Sequence, residues 1–245
     1  EKLAGVARGS NVLTIQLEAM MGYLIGREVG GEPVTPTLNA LVKDQSLSFT
    51  DAYSPIGSGN TSDAEMMTLT SLLPLDSGAA FVKKAENRYP GSLPKLLKAN
   101  GYARAEAFHG YDRGYYNRGP MYKALGFDAF HAVDDYDKDD EVGLGLSDAS
   151  FYRQTAEKIA KLKAPWYSHV VSLSGHHPYR VPADRQPLDL ARGYYGEEFT
   201  DYLQAQAYAD RALGEFLADL DRRGLLDDTT IVVYGDHWGQ GWTHS

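Results

Sequence analysis

The sequence predicts a doubly wound α/β fold: a mostly parallel sheet with helices on both faces. Three observations carry this. Strand-like and helix-like segments alternate along the 245 residues, as in repeated βα units. Two short β-branched runs, at residues 11–17 and 229–234, read as strands buried on both faces. Polar residues crowd the segments after the strands, where open α/β sheets collect ligands. No internal repeat, low-complexity tract or linker divides the chain, so residues 1–245 are expected to form one domain. Apolar residues make up 43% of it, enough for a substantial core.

The first run is Asn11-Val12-Leu13-Thr14-Ile15-Gln16-Leu17, with Glu18 at its carboxyl end. Alone, Glu18 is as readily a solvated loop carboxylate as a ligand. Residues 36–47 predict a helix with Leu38, Leu41 and Val42 as its apolar stripe. Residues 48–53 suggest a short strand, and residues 63–72 a helix ending near Pro74. Residues 91–100 place Leu93, Leu96 and Leu97 at helical spacing, with Gly101 as the helix stop. Residues 102–108 predict a strand leading into His109.

Residues 111–121 are aromatic and polar and read as a surface loop. They are also what a site for a polar headgroup would use, with Arg118 for an anion and Tyr116 as an amphipathic wall. The acidic run 134–141 reads as a solvated loop; it lacks the glycine and distal glutamate of an EF-hand. Residues 150–162 predict a helix, and residues 166–173 a strand ending in Ser174-Gly175-His176-His177. Adjacent histidines on an extended chain point apart, so they are not expected to bind one ion together, and one of them is expected to face a pocket. Residues 182–200 read as a long loop. Residues 201–223 predict an amphipathic helix with Leu203, Ala207, Leu213, Phe216, Leu217 and Leu220 on its apolar side, stopped by Gly224. The run Thr229-Thr230-Ile231-Val232-Val233-Tyr234 then leads straight into Gly235-Asp236-His237.

Composition narrows the function. The net charge of −9 argues against a general nucleic-acid binder. It leaves an anionic substrate open, because a metal ion reverses the local sign. The chain has no cysteine, which excludes disulfide frameworks, zinc–thiolate sites and cysteine nucleophiles. No apolar run approaches the ~20 residues that span a bilayer.

The segment Ser58-Gly59-Asn60-Thr61-Ser62-Asp63-Ala64-Glu65 sets a hydroxyl in a turn-prone stretch before a helix. Such a hydroxyl, backed by backbone N–H groups, suits attack on a phosphoryl or sulfuryl group. Taken alone, the segment reads better as an ordinary helix start, with Thr61 or Ser62 as N-cap and Glu65 completing a capping box. The strand ends change the balance. Glu18, Asp236-His237 and His176 bring carboxylate, carboxylate and imidazole to one sheet edge, a donor set for a divalent first-row metal. A hydroxyl beside that metal ionises more readily.

With these motifs in place, the chain resembles the alkaline phosphatase and sulfatase superfamily. It is most similar to the extracellular catalytic domains of lipoteichoic acid synthase-like phosphoglycerol transferases. The resemblance rests on Val-Leu-Thr-Ile-Gln-Leu-Glu at the first strand, Gly-Asn-Thr-Ser-Asp-Ala-Glu around Thr61, and Phe-His-Gly at Phe108 with Tyr-Tyr-Asn-Arg ending at Arg118. It continues with Met-Tyr-Lys-Ala-Leu-Gly-Phe-Asp at Met121 and Tyr-Gly-Asp-His at Tyr234. These occur in family order and span nearly the whole chain.

The resemblance implies that Glu18, Thr61, Asp236 and His237 bind one divalent metal, foremost Mn2+, with Mg2+ or Zn2+ as alternatives. It implies that Thr61 is the nucleophile taking glycerol phosphate from phosphatidylglycerol or a related anionic lipid. Arg118 and His176 would hold the phosphate, with His177 as the alternative to His176, and His109 and Tyr116 would line the glycerol pocket. Tyr116 stands where the family often has tryptophan, which keeps an aromatic wall and leaves fine substrate preference open. The acceptor would be a growing polyglycerolphosphate or a glycolipid, at the outer face of the bacterial cell membrane.

The family continues beyond Gly-Asp-His, so a C-terminal part is expected beyond Ser245, and membrane helices before Glu1. His244 stands where a further family histidine is expected and is given no role. Two other readings remain. One is a hydrolase or phosphoethanolamine transferase on the same scaffold; a sulfatase, with its modified cysteine or serine, fits less well. The other is a non-catalytic envelope-binding domain.

Overall fold

A computed structural model describes residues 4–43 and 46–241. Its centre is a five-stranded sheet of β1 (Asn11–Leu17), β2 (Arg104–His109), β3 (Ala129–His131), β4 (Trp166–Val171) and β5 (Thr229–Gly235). The order across the sheet is β3-β2-β4-β1-β5, and every pairing is parallel. Parallel pairing puts all five carboxyl ends along one edge of the sheet. Glu18 follows β1, His109 closes β2, His176 lies beyond β4, and Asp236 follows β5.

Six helices of seven or more residues cover the sheet among the described residues: α1 (Pro36–Lys43), α2 (Thr61–Thr70), α3 (Leu93–Ala99), α4 (Arg118–Leu125), α5 (Asp148–Ile159) and α6 (Glu197–Arg222); a single helical turn at Ala80–Lys83 adds to them. Two cores result from the alternation of side chains along the strands. Leu13, Ile15, Leu17, Phe108, Trp166 and Val170 pack with Leu38 of α1, Phe151 and Ile159 of α5, and Leu213 and Phe216 of α6. On the opposite face, Ala105, Ala107 and Tyr167 pack with Met66 and Leu69 of α2 and with Met121, Tyr122 and Leu125 of α4. The doubly wound architecture with helices on both faces is thus present.

Several local expectations are corrected. Residues 48–53 form no strand; with Phe49 and Tyr53 strongly exposed, no face of that segment is buried among the described residues. Helix α1 ends at Lys43, whereas the prediction ran to Leu47; Asp44 and Gln45 lie outside the described residues, and Ser46 and Leu47 are not helical. His244 also lies outside the described residues. Helix α2 begins at Thr61 itself, two residues before the predicted start.

The 111–121 segment is only partly a loop. A 3₁₀ turn over Tyr115–Asn117 leads into α4, which its aromatic and polar composition concealed. Strand β3 was too short to predict at three residues. Helix α5 starts earlier than predicted because Ser147 caps it, its side chain accepting from Ser150 N. Helix α6 likewise begins at Glu197. Strand β5, expected to be buried on both faces, pairs only with β1 among the described residues, and Val232 is exposed.

The acidic run is more than a solvated loop. Asp135, Asp139 and Asp140 pair with Arg113, Arg153 and Arg185, and Glu141–Val142 forms a two-stranded ribbon with Gly145–Leu146.

Candidate active site and metal centre

At the carboxyl edge of the sheet, Glu18, Asp236 and His237 are all buried, and one ligand atom from each lies within 4.8 Å of the others. His237 Nε2 is 3.1 Å from Glu18 Oε1 and 3.5 Å from Asp236 Oδ2. Thr61 Oγ1 donates to Glu18 Oε2 at 3.2 Å and lies 3.4 Å from His237 Nε2.

Each donor is held from behind. Asp236 Oδ1 accepts from Ala19 N at 2.8 Å and from His237 N at 2.7 Å. His237 Nδ1 faces the Trp238 carbonyl at 2.8 Å. A carbonyl only accepts, so Nδ1 carries the proton in the neutral ring and Nε2 presents its lone pair to the cluster. Glu18 N donates to Ser172 Oγ, and Gln16 Nε2 donates to the Thr61 carbonyl at 3.2 Å.

Backbone geometry imposes residue identity here. A Cβ on Gly235 would sit 1.9 Å from the Met20 carbonyl oxygen, so only glycine lets β5 run beside β1 into Asp236. Ala19, Asn60, Tyr116 and Asn117 have φ of 53°, 43°, 53° and 58°. Three of them adjoin Glu18, Thr61 and Arg118, and the fourth is Tyr116 itself. Left-handed backbone at non-glycine residues costs about 1 kcal/mol or more each and gathers at functional sites.

The donor set fits a divalent cation. The buried Glu18 Oε1 and Asp236 Oδ2 both face His237 Nε2, at 3.1 and 3.5 Å, so two carboxylates share one imidazole, and a divalent cation among the three would balance both charges. Electrostatics agree. Burial pushes the Glu18 carboxyl up, but the hydrogen bond and charge of His237 outweigh it and hold Glu18 down at about 2. Burial pushes His237 down, but Glu18 and Asp236 raise it to about 9. Burial and the Glu18 charge push Asp236 well above the usual carboxylate range.

Without a cation, His237 therefore keeps its proton at neutral pH. Metal binding needs the neutral Nε2 and must expel that proton. Mn2+ affinity is expected to rise with pH until about 9, by about tenfold per pH unit for each proton released, His237 supplying one and the raised Asp236 carboxyl adding to it. Titrating Mn2+ in weakly buffered solution reads this as proton release. Affinity flat between pH 6 and 8 would contradict it.

Beside the cluster lies a pocket lined by Glu18, Thr61, His109, Tyr116, Arg118 and His176. His177 does not line it; that ring is exposed and pairs with Glu198 at 3.3 Å. The doubled histidine thus divides, with His176 inward and His177 outward. His176 Nδ1 faces the His177 carbonyl, and His109 Nδ1 faces the Val171 carbonyl at 2.9 Å. In their neutral forms both rings hold the proton at Nδ1 and keep an acceptor at Nε2. Burial, reinforced by Arg118, pushes His109 down to about 3, so it stays neutral. Arg118 is buried, its guanidinium 5.5 Å from the centre of the Tyr116 ring. Nη1 has no partner among the described residues, which leaves its charged N–H groups for an anion.

Sequence reasoning missed the residues that fix this pocket. Glu65 completes no capping box: the N-cap is Asn60, without a side-chain cap bond. Its Oε1 instead accepts from Arg118 Nε at 3.0 Å and Nη2 at 2.7 Å, and Oε2 accepts from Tyr122 Oη. Asp63 Oδ2 accepts from Gly57 N and Gly59 N, each at 2.9 Å, folding the loop back over the start of α2. Ser62 Oγ donates to the Gly59 carbonyl. The Thr-Ser-Asp-Ala-Glu motif held this signal, since an acidic pair two residues apart after a hydroxyl is more than a helix start needs.

Two further buried groups hold the His176 loop. Asp148 Oδ1 accepts from Leu173 N at 2.8 Å, and Gln206 Nε2 donates to the carbonyls of Gly175 and Glu18 at 3.2 and 3.3 Å. Burial pushes the Asp148 carboxyl up to about 7. Gln206 ties the segment after β4 directly to the segment after β1.

Comparison with known proteins places this geometry in a lineage. The chain is 37% identical to lipoteichoic acid synthase from Staphylococcus aureus (strain USA300) over 246 aligned positions, covering 98% of this chain and 38% of that protein. The crystal structure of the lipoteichoic acid synthase LtaP from Listeria monocytogenes superposes with a TM-score of 0.90 at 32% identity, covering 96% of this chain and 57% of that one. The Streptococcus pyogenes phosphoglycerol transferase GacH, solved with sn-glycerol-1-phosphate, shares the fold at a TM-score of 0.75 and 19% identity, covering 97% of this chain and 63% of that one. The chain thus spans well under half the length of the curated relatives it matches. The sulfatase family profile matches residues 10–241, and the chain belongs to the sulfatase family.

Proposed function

We propose that this chain is the catalytic part of a metal-dependent phosphoglycerol transferase of the bacterial cell envelope. It would move glycerol phosphate from phosphatidylglycerol to a polyglycerolphosphate or glycolipid acceptor. The observation that carries the reading is the Thr61 hydroxyl, set between Glu18 and His237 at the mouth of a pocket that also presents a free N–H of Arg118. The similarity to lipoteichoic acid synthase supports this substrate class over others on the same scaffold.

Glu18, Thr61, Asp236 and His237 would hold one divalent ion, Mn2+ foremost, which would offset charge and favour ionisation of the Thr61 hydroxyl. Helix α2 starts at Thr61, so the positive end of its dipole lies beside that oxygen. Thr61 Oγ attacks the phosphorus of the lipid and the bond to the diacylglycerol oxygen breaks, leaving glycerol phosphate on Thr61. A hydroxyl of the acceptor then attacks the same phosphorus and Thr61 Oγ leaves. Arg118 Nη1 faces the phosphate oxygens through both steps. Neutral His109 offers Nε2 as an acceptor for a glycerol hydroxyl, and His176, whose Nδ1 faces the His177 carbonyl, turns its Nε2 to the same pocket as a candidate for the proton of the incoming acceptor. Tyr116 forms the pocket wall and stacks on Arg118.

The reading places the domain at the outer face of the membrane. No helix among the described residues is long and apolar enough to cross a bilayer, so attachment would come from a segment elsewhere in the protein.

The test is diacylglycerol release from phosphatidylglycerol vesicles with Mn2+, measured beside phosphatidylethanolamine vesicles and a soluble phosphodiester. The expected result is release from phosphatidylglycerol at least about tenfold faster than from phosphatidylethanolamine. Faster turnover of the soluble diester without lipid product would favour a hydrolase. Metal or lipid binding without turnover would favour a binding domain.

A further inference from the structure

A second pocket lies away from the candidate active site, an open cavity of about 430 Å³ lined by Arg104, Glu106, His131, Lys158, Lys161 and Lys163. It shares no lining residue with the pocket over Thr61. Arg104 and Glu106 line it from the start of β2, and His109 closes that strand, so about 10 Å of strand, at ~3.3 Å per residue, separates the nearest lining residues of the two pockets. Four cations meet one carboxylate, a net positive pocket in a chain of net charge −9.

Solvated lysines at the end of a helix account for part of this. Lys158 is in the last turn of α5, where the dipole favours a cation. The rest comes from elsewhere in the fold and is held in place. Glu106, only 5% exposed, accepts from Arg104 Nε at 3.0 Å and Nη2 at 2.7 Å through Oε1. Its Oε2 lies 2.8 Å from His131 Nε2, and the His131 ring stacks on Phe108. Lys158 Nζ donates to the Asp135 carbonyl and lies 4.8 Å from the centre of the Tyr136 ring. Arg104 and Lys158 are thus pre-positioned, while Lys161 and Lys163 are exposed. A fixed guanidinium and ammonium beside two free ammonium groups suit an extended anion with several phosphate groups better than one compact ion.

We propose that this pocket is a second anion site, distinct from the active site, that takes a phosphate-bearing chain. Its use for the growing acceptor polymer rests on the transferase reading; the binding itself does not.

The experiment measures binding of short polyphosphate chains, and of inorganic phosphate, to the protein by calorimetry at low and moderate salt. Three proteins are compared: wild type, the double variant Lys161→Glu/Lys163→Glu, and Arg118→Ala. Expected is polyphosphate binding that persists in Arg118→Ala, weakens about tenfold or more in the double variant, and falls with added salt. Per phosphate group, the chain should bind more tightly than inorganic phosphate. Binding lost in Arg118→Ala at a temperature where circular dichroism shows that variant folded would assign the anion to the active site and overturn the proposal. Binding unchanged by the charge reversal, or absent at low salt, would also overturn it. Equal affinity per phosphate would overturn the chain as ligand. Both lysines are exposed, so the double variant should keep the wild-type melting temperature, and diacylglycerol release separately reports whether the transferase reading holds.

Discussion

Thr61→Ala is expected to lower diacylglycerol release from phosphatidylglycerol by about ten-thousand-fold or more, the scale seen when an attacking nucleophile is removed. Metal affinity should change far less. Thr61 contributes one neutral oxygen, whereas Glu18 and Asp236 contribute the buried carboxylates and His237 the imidazole. The side chain is small and sits at the first turn of α2, whose helix start is tied down by Asp63 and Gln16 rather than by the threonine hydroxyl. Thr61→Ala should therefore fold and load metal normally. Thr61→Ser keeps a hydroxyl at the same place and should keep measurable turnover. Kinetics with matched Mn2+ titrations checks the pair. Equal turnover by Thr61→Ala and wild type would mean that water attacks directly and that Thr61 is only a ligand.

The largest expected effect on stability comes from Glu65→Ala. Arg118 and Glu65 are both fully buried. Burial disfavours the Arg118 charge, but the charge and hydrogen bonds of Glu65 outweigh that and keep the guanidinium protonated. Removing Glu65 leaves a buried cation without its carboxylate and strips Tyr122 of an acceptor. Breaking such a pair costs about 3–5 kcal/mol, or roughly 10 °C in Tm for a chain of this size. Thermal denaturation followed by circular dichroism reads it directly. Glu65→Gln still offers a carbonyl to Arg118 and should lose less. A shift below about 2 °C in Glu65→Ala would show that the pair is not holding the pocket floor. Glu65→Gln should also weaken activity if enough protein folds, because Arg118 then loses its orientation.

Much of this was legible in the sequence, for identifiable reasons. β1 was legible because Leu13, Ile15 and Leu17 alternate along a short β-branched run. Gly235-Asp236-His237 was legible because the glycine is forced by its approach to Met20, and the acid and imidazole follow directly. The rule that ligands gather at the carboxyl ends of parallel strands left Glu18 evenly balanced, and only its combination with Asp236-His237 and the family motif singled it out. What stayed hidden depends on long-range contact. Glu65 looks like a capping residue until α4 folds across it and supplies Arg118. Asp148 stands before the helix predicted at residue 150 and Gln206 is a polar residue within a long amphipathic helix, and only the tertiary fold buries both and turns their polar atoms towards the His176 loop. α4 was hidden because it is short and begins with Arg118, Gly119 and Pro120 after an aromatic and polar stretch, so its buried Met121, Tyr122 and Leu125 did not stand out as a helical stripe. The short β3 offers too few residues for any periodicity. His176 and His177 could not be told apart on an extended chain, and the pocket separates them.

The central claim is that Thr61 accepts the glycerol-phosphate group. Intact mass of the protein after brief exposure to Mn2+ and phosphatidylglycerol, without acceptor, tests it most directly. A gain equal to one glycerol-phosphate group, mapped to Thr61 and absent from Thr61→Ala, is the predicted result. Diacylglycerol released by the folded, metal-loaded and full-length protein, with no such adduct at any time after mixing, would contradict it.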